Sequence, residues 1–236
     1  MDRHPHFPPP HRADAIVLVH GAWVGEWSWL PVLDRLLASG RPVHAVSLTG
    51  HGARRHESGP SVDLSTHVAD VVGVVETFDL VDVTLVGHSY GGRVITRTWA
   101  ELGDRVRSLV YVDAHAPVAP EPPEPSGRAQ QAAEHGGMLP FFEIYAPTED
   151  LVGDVDWFMD RVALQSYACL TEPWQVELPD GLPKAFVYAA ASGDSRFRHY
   201  ADACVGKPGW TRHDLDGPHF IMMSHPDELA HIILAA

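Results

Sequence analysis

A chain of 236 residues with 45% hydrophobic and 20% charged side chains can bury a sizeable core, and it predicts one larger α/β domain. Its formal net charge of −14 argues against binding to nucleic acid or to an anionic membrane surface, because both require clustered lysine and arginine. No apolar run approaches the roughly 18 residues that a membrane-spanning helix needs. Two cysteines, Cys169 and Cys204, are too few for a disulfide framework, so we expect a cytoplasmic protein.

From residue 15 onward, the chain mostly alternates between short apolar runs and amphipathic stretches. The apolar runs predict strands at residues 15–19, 42–48, 84–86, 108–112, 184–190 and 210–215. Apolar residues at helical spacing predict helices at 27–38 and 64–78, directly after residue 89, and from residue 224 onward. This alternation, with glycine loops at the strand ends, predicts a mostly parallel six-stranded sheet with helices on both faces.

Two segments fall outside this alternation. Residues 1–12 are rich in proline and histidine and lack the apolar stretch of a signal peptide, so we expect a flexible leader before a single domain at 13–236. Residues 114–183 contain a proline-rich run and two helical patterns, at 128–135 and 154–170. An insertion of this length between two core strands predicts a helical cap over the strand ends. Its large apolar side chains form either pocket walls or the cap's own core: Met138, Phe141, Phe142, Tyr145, Trp157, Phe158 and Trp174.

The most informative stretch is Gly-His-Ser-Tyr-Gly at residues 87–91, between an apolar strand and the start of a helix. Gly87 and Gly91 flank Ser89, and only such small residues let the strand and the helix approach closely enough for a sharp turn. Such a turn exposes the central hydroxyl above the carboxyl end of the sheet. We therefore interpret Ser89 as a nucleophile.

A serine hydroxyl needs a base, and the base needs an acceptor on its other nitrogen. His219 follows the last predicted strand in a Gly-Pro turn, where its side chain can reach across the edge of the sheet. Asp194 follows the strand at 184–190 and gives the order Ser, Asp, His. Asp113, at the end of the strand at 108–112, is the alternative acid.

An oxyanion needs two N–H donors. The backbone of Tyr90, directly after the nucleophile, offers one, and the backbone of Ala22, in the loop after the first strand, offers the other. The sequence has neither His-Glu-x-x-His nor a cysteine–histidine spacing, so we expect no metal and no cofactor.

Five short motifs resemble a known group: His-Gly-Ala-Trp, Thr-Gly-His-Gly, Gly-His-Ser-Tyr-Gly-Gly, Val-Asp-Ala-His-Ala-Pro, and the ending from Gly-Pro-His-Phe to Asp-Glu-Leu-Ala. They are similar to those of the small cofactor-free α/β-hydrolases, in the branch of bacterial esterases, plant methylesterases and hydroxynitrile lyases. The resemblance covers residues 15–234 and is weakest in the insertion. It implies the α/β-hydrolase fold, a triad of Ser89, Asp194 and His219, and an oxyanion hole at Ala22 and Tyr90.

These observations predict hydrolysis of a carboxylic ester of a small, fairly apolar substrate through an acyl-enzyme. A hydroxynitrile lyase is disfavoured, because the lyases of this branch carry threonine and lysine where this chain has Gly21 and Phe220. A cofactor-free C–C hydrolase, a lyase or a tailoring enzyme for an aromatic or polyketide-like metabolite fits the same triad, and a ligand-binding receptor is the non-enzymatic alternative. The expected partner is a small-molecule substrate, and a homodimer is left open.

Overall fold

The computed structural model describes residues 12–123, 125–141, 154–192 and 195–236, and its centre is a parallel β-sheet. The strands in chain order are β1 (Arg12–Ala13), β2 (Ile16–Val19), β3 (Val43–Val46), β4 (Leu80–Val81), β5 (Val83–His88), β6 (Val106–Val112), β7 (Met138–Leu139), β8 (Gln165–Ser166), β9 (Lys184–Ala189) and β10 (Trp210–Leu215). Six of them form the central sheet in the order β10-β9-β6-β5-β2-β3, with all neighbours parallel. The predicted six-stranded sheet is confirmed.

The inner strands are apolar because helices cover them. Every residue of β2, β5 and β9 is buried, whereas three of the four residues of the edge strand β3 are only half-buried. A strand that is buried on both faces gains stability from each apolar side chain, which explains the unbroken Val and Leu runs. The order also brings the carboxyl ends of β2, β5 and β6 side by side, so the loops that follow these strands meet at one edge.

Nine α-helices accompany the strands in the described part of the chain. They are α1 (Leu30–Leu37), α2 (Leu64–Thr77), α3 (Gly91–Leu102), α4 (Arg128–Glu134), α5 (Val155–Met159), α6 (Ala168–Thr171), α7 (Ser195–Ala203), α8 (Ile221–Ser224) and α9 (Pro226–Ala235). Helix α2 packs against α3, and α1 packs against α9. None of the described helices is both long enough and apolar enough to cross a membrane.

The insertion between β6 and β9 holds α4, β7, α5, β8 and α6. Helix α4 confirms the helix expected at 128–135, but the single helix expected at 154–170 is wrong, because this stretch forms α5, β8 and the start of α6. The backbone N–H of Ala163 donates to the carbonyl of Trp23 at 2.7 Å, and that of Tyr167 donates to the carbonyl of Gly137 at 3.0 Å. These backbone N–H groups therefore donate to carbonyls elsewhere in the chain, and not to the carbonyl four residues earlier as a helix would require. The limits of the leader and of the cap stay predictions, since residues 1–11 and 142–153 lie outside the described residues.

Candidate active site

Ser89 occupies the turn between β5 and α3. Its φ is +53°, in the left-handed region that residues other than glycine rarely adopt. Its N–H donates to the carbonyl of Val112 at 3.2 Å, and its carbonyl accepts from the N–H of His115 at 3.1 Å. The end of β6 and the loop after it thus hold Ser89 in a conformation that is strained in isolation, as the sharp turn requires.

Three glycines around Ser89 make this geometry possible. A Cβ on Gly87 would lie 2.5 Å from the carbonyl oxygen of Gly91, and a Cβ on Gly91 would lie 2.6 Å from that of Val19. A Cβ on Gly92 would lie 2.1 Å from the carbonyl oxygen of His115. The glycine spacing seen in the sequence is therefore a steric requirement of the close approach between strand and helix.

The two candidate oxyanion donors lie beside Ser89. Ala22, Tyr90 and Ser89 all line the same cavity. Within the described part of the chain, neither the Ala22 nor the Tyr90 amide donates a hydrogen bond to a protein acceptor. Their role as oxyanion donors stays a prediction.

Buried histidines fix both donor segments, and the sequence reasoning missed them. His20 donates from Nδ1 to the carbonyl of Gly21 at 2.8 Å and accepts from the N–H of Leu48 at Nε2, at 3.2 Å. His67 accepts from the hydroxyl of Tyr90 at Nδ1, at 3.0 Å, and donates from Nε2 to Thr49 at 2.9 Å. Burial lowers the pKa of both imidazoles, so each holds its hydrogen bonds as one neutral tautomer. In the sequence, His20 was visible only as the residue before Gly21, and His67 only as one residue of a predicted helix.

His219 lies between β10 and α8 with its ring almost fully buried. Its Nδ1 donates to Oδ2 of Asp113 at 2.7 Å, and Asp113 is completely buried. Oδ1 of Asp113 accepts from the N–H of Ala189 at 3.3 Å, and the Asp113 N–H donates to the carbonyl of Val187 at 2.7 Å. The carboxylate is thus held by β9 while it orients the imidazole of His219.

This contact involves the acid that the sequence ranked second. Asp194, the residue preferred on chain order, lies outside the described residues. Both Asp113 and Asp194 follow strands that are neighbours in the sheet, since β6 pairs with β9. In the described part of the chain, Asp113 is the carboxylate on Nδ1 of His219, and the assignment of Asp194 stays a prediction.

His88 is a further residue of this site that the sequence reasoning missed. Its Nε2 donates to the carbonyl of His219 at 3.0 Å, and the two rings lie 4.5 Å apart. Burial lowers the pKa of His88 well below its ordinary value, and the neighbouring His219 lowers it further. A neutral His88 therefore fixes the backbone of His219. Its adjacency to Ser89 was visible, but sixteen histidines gave no reason to single it out.

The cavity at Ser89 is narrow, and the space in it that is open to a water-sized molecule is about 20 Å³, enough for one water. Its lining residues come from the core and from the insertion: Ala22, Trp23, Ser89, Tyr90, Arg93, His115, Arg128, Leu170, Arg196 and Phe197. The ring of Phe197 also stacks on that of His219, with centroids 4.9 Å apart and planes 11° apart. Phe197 thus connects the cavity to His219.

We expected the large side chains of the insertion to form either pocket walls or the cap's own core. Those that the structure describes do not form the walls of the cavity at Ser89. Phe158 packs against Phe141, Trp27 and Phe220, with ring centroids 5.1–5.7 Å apart. Trp157 packs edge-on against Trp27 at 5.3 Å. None of the described members of that set lines the cavity, whereas Phe142 and Tyr145 lie outside the described residues.

This chain differs from the hydroxynitrile lyases at Gly21 and Phe220, and both residues are closely packed. A Cβ on Gly21 would lie 2.9 Å from Nδ1 of His88 and 3.1 Å from Cβ of Ser89, so a threonine has no room there. Phe220 is buried against His88 and His219. Among the described residues, no three His, Cys, Asp or Glu side chains cluster as a metal site would require.

Comparison with known proteins assigns the class. Residues 16–232 match the model of the alpha/beta hydrolase family, and the chain belongs to this family. It is an enzyme of the esterase type. It is 37% identical to a carbendazim hydrolyzing esterase of Nocardioides sp. (strain SG-4G), over 93% of this chain and 98% of that protein.

Two further relatives also match over nearly their whole length. The chain is 25% identical to esterase PIR7B of Oryza sativa subsp. japonica, over 92% of this chain and 93% of that protein. It shares a fold with an extracellular alpha/beta-hydrolase from a Paenibacillus species, with a TM-score of 0.72, 21% identity, and coverage of 94% of this chain and 98% of the other.

Proposed function

We propose that this protein hydrolyses a carboxylic ester of a small substrate through an acyl-enzyme. The observation that carries the proposal is the shared cavity: Ser89, held at a positive φ, opens into the same space as the amides of Ala22 and Tyr90. The hydrogen bond of 2.7 Å between His219 and Asp113, beside Phe197 of that cavity, supports the rest of the assignment.

The first half of the reaction forms the acyl-enzyme. His219 takes the proton of the Ser89 hydroxyl as the oxygen attacks the ester carbonyl. The amides of Ala22 and Tyr90 stabilise the negative charge that develops on the carbonyl oxygen. The imidazolium of His219 then protonates the leaving alcohol as the C–O bond breaks, and Asp113 stabilises its positive charge throughout.

The second half releases the acid. A water molecule loses its proton to His219 and attacks the acyl carbonyl, and Ser89 leaves with the proton that His219 returns. In each half of the reaction, Nε2 of His219 accepts a proton and returns it, while a fixed carboxylate holds Nδ1. Asp113 serves as that carboxylate in this proposal, and Asp194 is the alternative that the sequence favoured.

The test replaces the nucleophile and follows both turnover and the covalent intermediate. A panel of p-nitrophenyl esters of increasing acyl length, together with carbendazim, the compound in the relative's name, gives the turnover. We expect Ser89→Ala to lower turnover by about 10⁴-fold or more with an unchanged melting temperature. Ser61→Ala, the same change at an exposed site, is the matched control.

Intact-mass measurements of the wild type during turnover should detect one acyl group, and peptide mapping should locate it on Ser89. A folded Ser89→Ala protein that retains near wild-type turnover, or an acyl group on another residue, would refute the nucleophile assignment.

A further inference from the structure

The hydroxyl of Tyr90 belongs to a buried polar cluster behind the nucleophile turn. Tyr90 directly follows Ser89 at the start of α3, and its ring is buried. The hydroxyl lies 3.0 Å from Nδ1 of His67, a fully buried residue of α2. The proposed reaction uses the backbone N–H of Tyr90, and no step of it uses this hydroxyl.

The direction of each hydrogen bond at His67 follows from its partners. Its Nε2 lies 2.9 Å from the carbonyl of Thr49, which can only accept, so Nε2 carries the proton. Burial lowers the pKa of His67, so the ring is neutral and Nδ1 is an acceptor. Burial also raises the pKa of Tyr90 well above its ordinary value. The hydroxyl of Tyr90 therefore keeps its proton and donates it to Nδ1.

Two further buried side chains contact His67 without replacing either bond. The ring of His51 lies 5.6 Å from that of His67, and burial lowers the pKa of His51 to about 3, so it carries no charge. The thiol of Cys169 lies 3.8 Å from Nδ1 of His67 and donates to the carbonyl of Val62 at 3.3 Å. Of the two side chains at Nδ1, the Tyr90 hydroxyl is the closer donor.

The loop after β3 holds the other side of His67. Thr49, whose carbonyl accepts from His67, donates from its N–H at 2.7 Å and from its hydroxyl at 3.0 Å to the carboxylate of Asp70. Asp70 lies on α2, three residues after His67, and also accepts from Arg54. The acceptor of His67 is therefore itself fixed by hydrogen bonds.

The same loop also reaches the second donor segment. Leu48 donates from its N–H to Nε2 of His20 at 3.2 Å, and Nδ1 of His20 donates to the carbonyl of Gly21 at 2.8 Å. Gly21 directly precedes Ala22. One loop is thus bonded through His20 to the segment of Ala22 and through His67 to the residue after the nucleophile.

We infer that His67 is a positioning residue for catalysis: it holds the Tyr90 hydroxyl and thereby fixes the position of the Tyr90 amide relative to that of Ala22. The inference rests on the proposed ester hydrolysis, in which these two amides stabilise the oxyanion. Such donors act at hydrogen-bond distance from the developing charge, and a displacement of about 1 Å can cost roughly 100-fold in rate. The tyrosine side chain transmits the position of His67 well, because its ring is rigid.

The test removes the Tyr90 hydroxyl and keeps the ring and the backbone. Tyr90→Phe should lower kcat for p-nitrophenyl acetate by roughly tenfold or more with little change in KM, because the oxyanion forms only after the ester has bound. The matched control is Tyr111→Phe, which removes another buried hydroxyl, bonded to Thr96 at 2.9 Å. It should lower the melting temperature by a similar amount and leave kcat unchanged.

Variants of His67 assign the effect to the hydrogen bond. His67→Leu offers neither donor nor acceptor and should lower kcat at least as much as Tyr90→Phe. His67→Gln offers both and should retain more of the rate. In the double variant with Tyr90→Phe and His67→Leu, kcat should fall no further than in the slower single variant, because the same hydrogen bond is lost in each. Tyr90→Phe carries the test if His67→Leu does not fold.

A trifluoromethyl ketone reports on the oxyanion contacts directly, because its adduct with Ser89 resembles the tetrahedral transition state. Its inhibition constant should rise in Tyr90→Phe by the same factor by which kcat/KM falls. If Tyr90→Phe matches Tyr111→Phe in kcat and in this inhibition constant, His67 has a structural role only and the inference is wrong, while Ser89-dependent hydrolysis still supports the proposed function. Absence of Ser89-dependent hydrolysis in the wild type would instead overturn the proposed function and the inference that rests on it.

Discussion

The turn around Ser89 and the insertion between β6 and β9 differ in what holds their backbones in place. In the turn, neighbouring backbone segments approach so closely that Gly87, Gly91 and Gly92 have no room for a Cβ. The insertion is instead held by hydrogen bonds to distant parts of the chain, as when the indole N–H of Trp23, in the loop after β2, donates to the carbonyl of Leu139 at 2.7 Å. The first constraint is steric and leaves room only for glycine. The second is a directional hydrogen bond between residues far apart in the chain.

Asp113 lies where β6 runs into the insertion, and within this comparison its replacement has the largest expected effect, on turnover. Asp113→Asn should lower turnover by about 10⁴-fold, because the amide leaves the wrong tautomer of His219 facing Ser89. Turnover and melting temperature are measured side by side with those of Asp194→Asn. If Asp194→Asn is the inactive enzyme and Asp113→Asn the active one, the prediction from chain order is right and the acid belongs to the loop after β9.

Glycine replacements compare the two regions by stability. Gly92→Ala places a Cβ 2.1 Å from the carbonyl oxygen of His115, so we expect a loss of about 3 kcal/mol in the free energy of unfolding. Gly181→Ala, at the end of the insertion, meets no atom within 4 Å and should change stability by less than about 0.5 kcal/mol. Urea titration of both variants measures the difference. Equal stability would show that the turn relaxes around an added methyl group.

Removal of a helix-capping aspartate gives the smallest expected loss of stability. It compares the core and the insertion by the same substitution in each. Asp63 caps α2 of the core by accepting from the N–H of Thr66 at 2.8 Å and from its hydroxyl at 2.6 Å. Asp154 caps α5 of the insertion by accepting from the N–H of Trp157 at 3.0 Å. Asp63→Ala should cost about 1–2 kcal/mol, and Asp154→Ala about 0.5 kcal/mol, because a five-residue helix contributes less to global unfolding. A larger loss for Asp154→Ala would mean that the insertion unfolds together with the core.

Much of the fold was predictable because its signals are local. Unbroken apolar runs located the six central strands, and glycine spacing located Ser89 in its turn. The helix expected at 154–170 was wrong because helical periodicity does not report where backbone donors find their acceptors. Ala163 donates to Trp23, which lies in another loop entirely.

The candidate site was predictable in part for the same reason. Gly-x-Ser-x-Gly and Gly-Pro-His are short patterns, so Ser89 and His219 could be proposed from neighbouring residues. The partner of His219 could not be chosen in this way, because Asp113 and Asp194 both follow core strands and both satisfy the local pattern. The choice depends on which side chain reaches across the sheet to Nδ1, and strand order fixes that distance.

The sequence by itself determined the strand–helix alternation, the sharp turn around Ser89 and the loop that carries His219, because each has a signal in burial or in glycine and proline spacing within a few residues. Only the tertiary structure decided that Asp113 contacts His219 and that His88 and His67 hold His219 and Tyr90. It also decided that Arg93, Arg128 and Arg196 line one cavity. These residues lie far apart in the chain and on separate elements. Their meeting depends on the packing of whole helices against the sheet, and no local pattern encodes that packing.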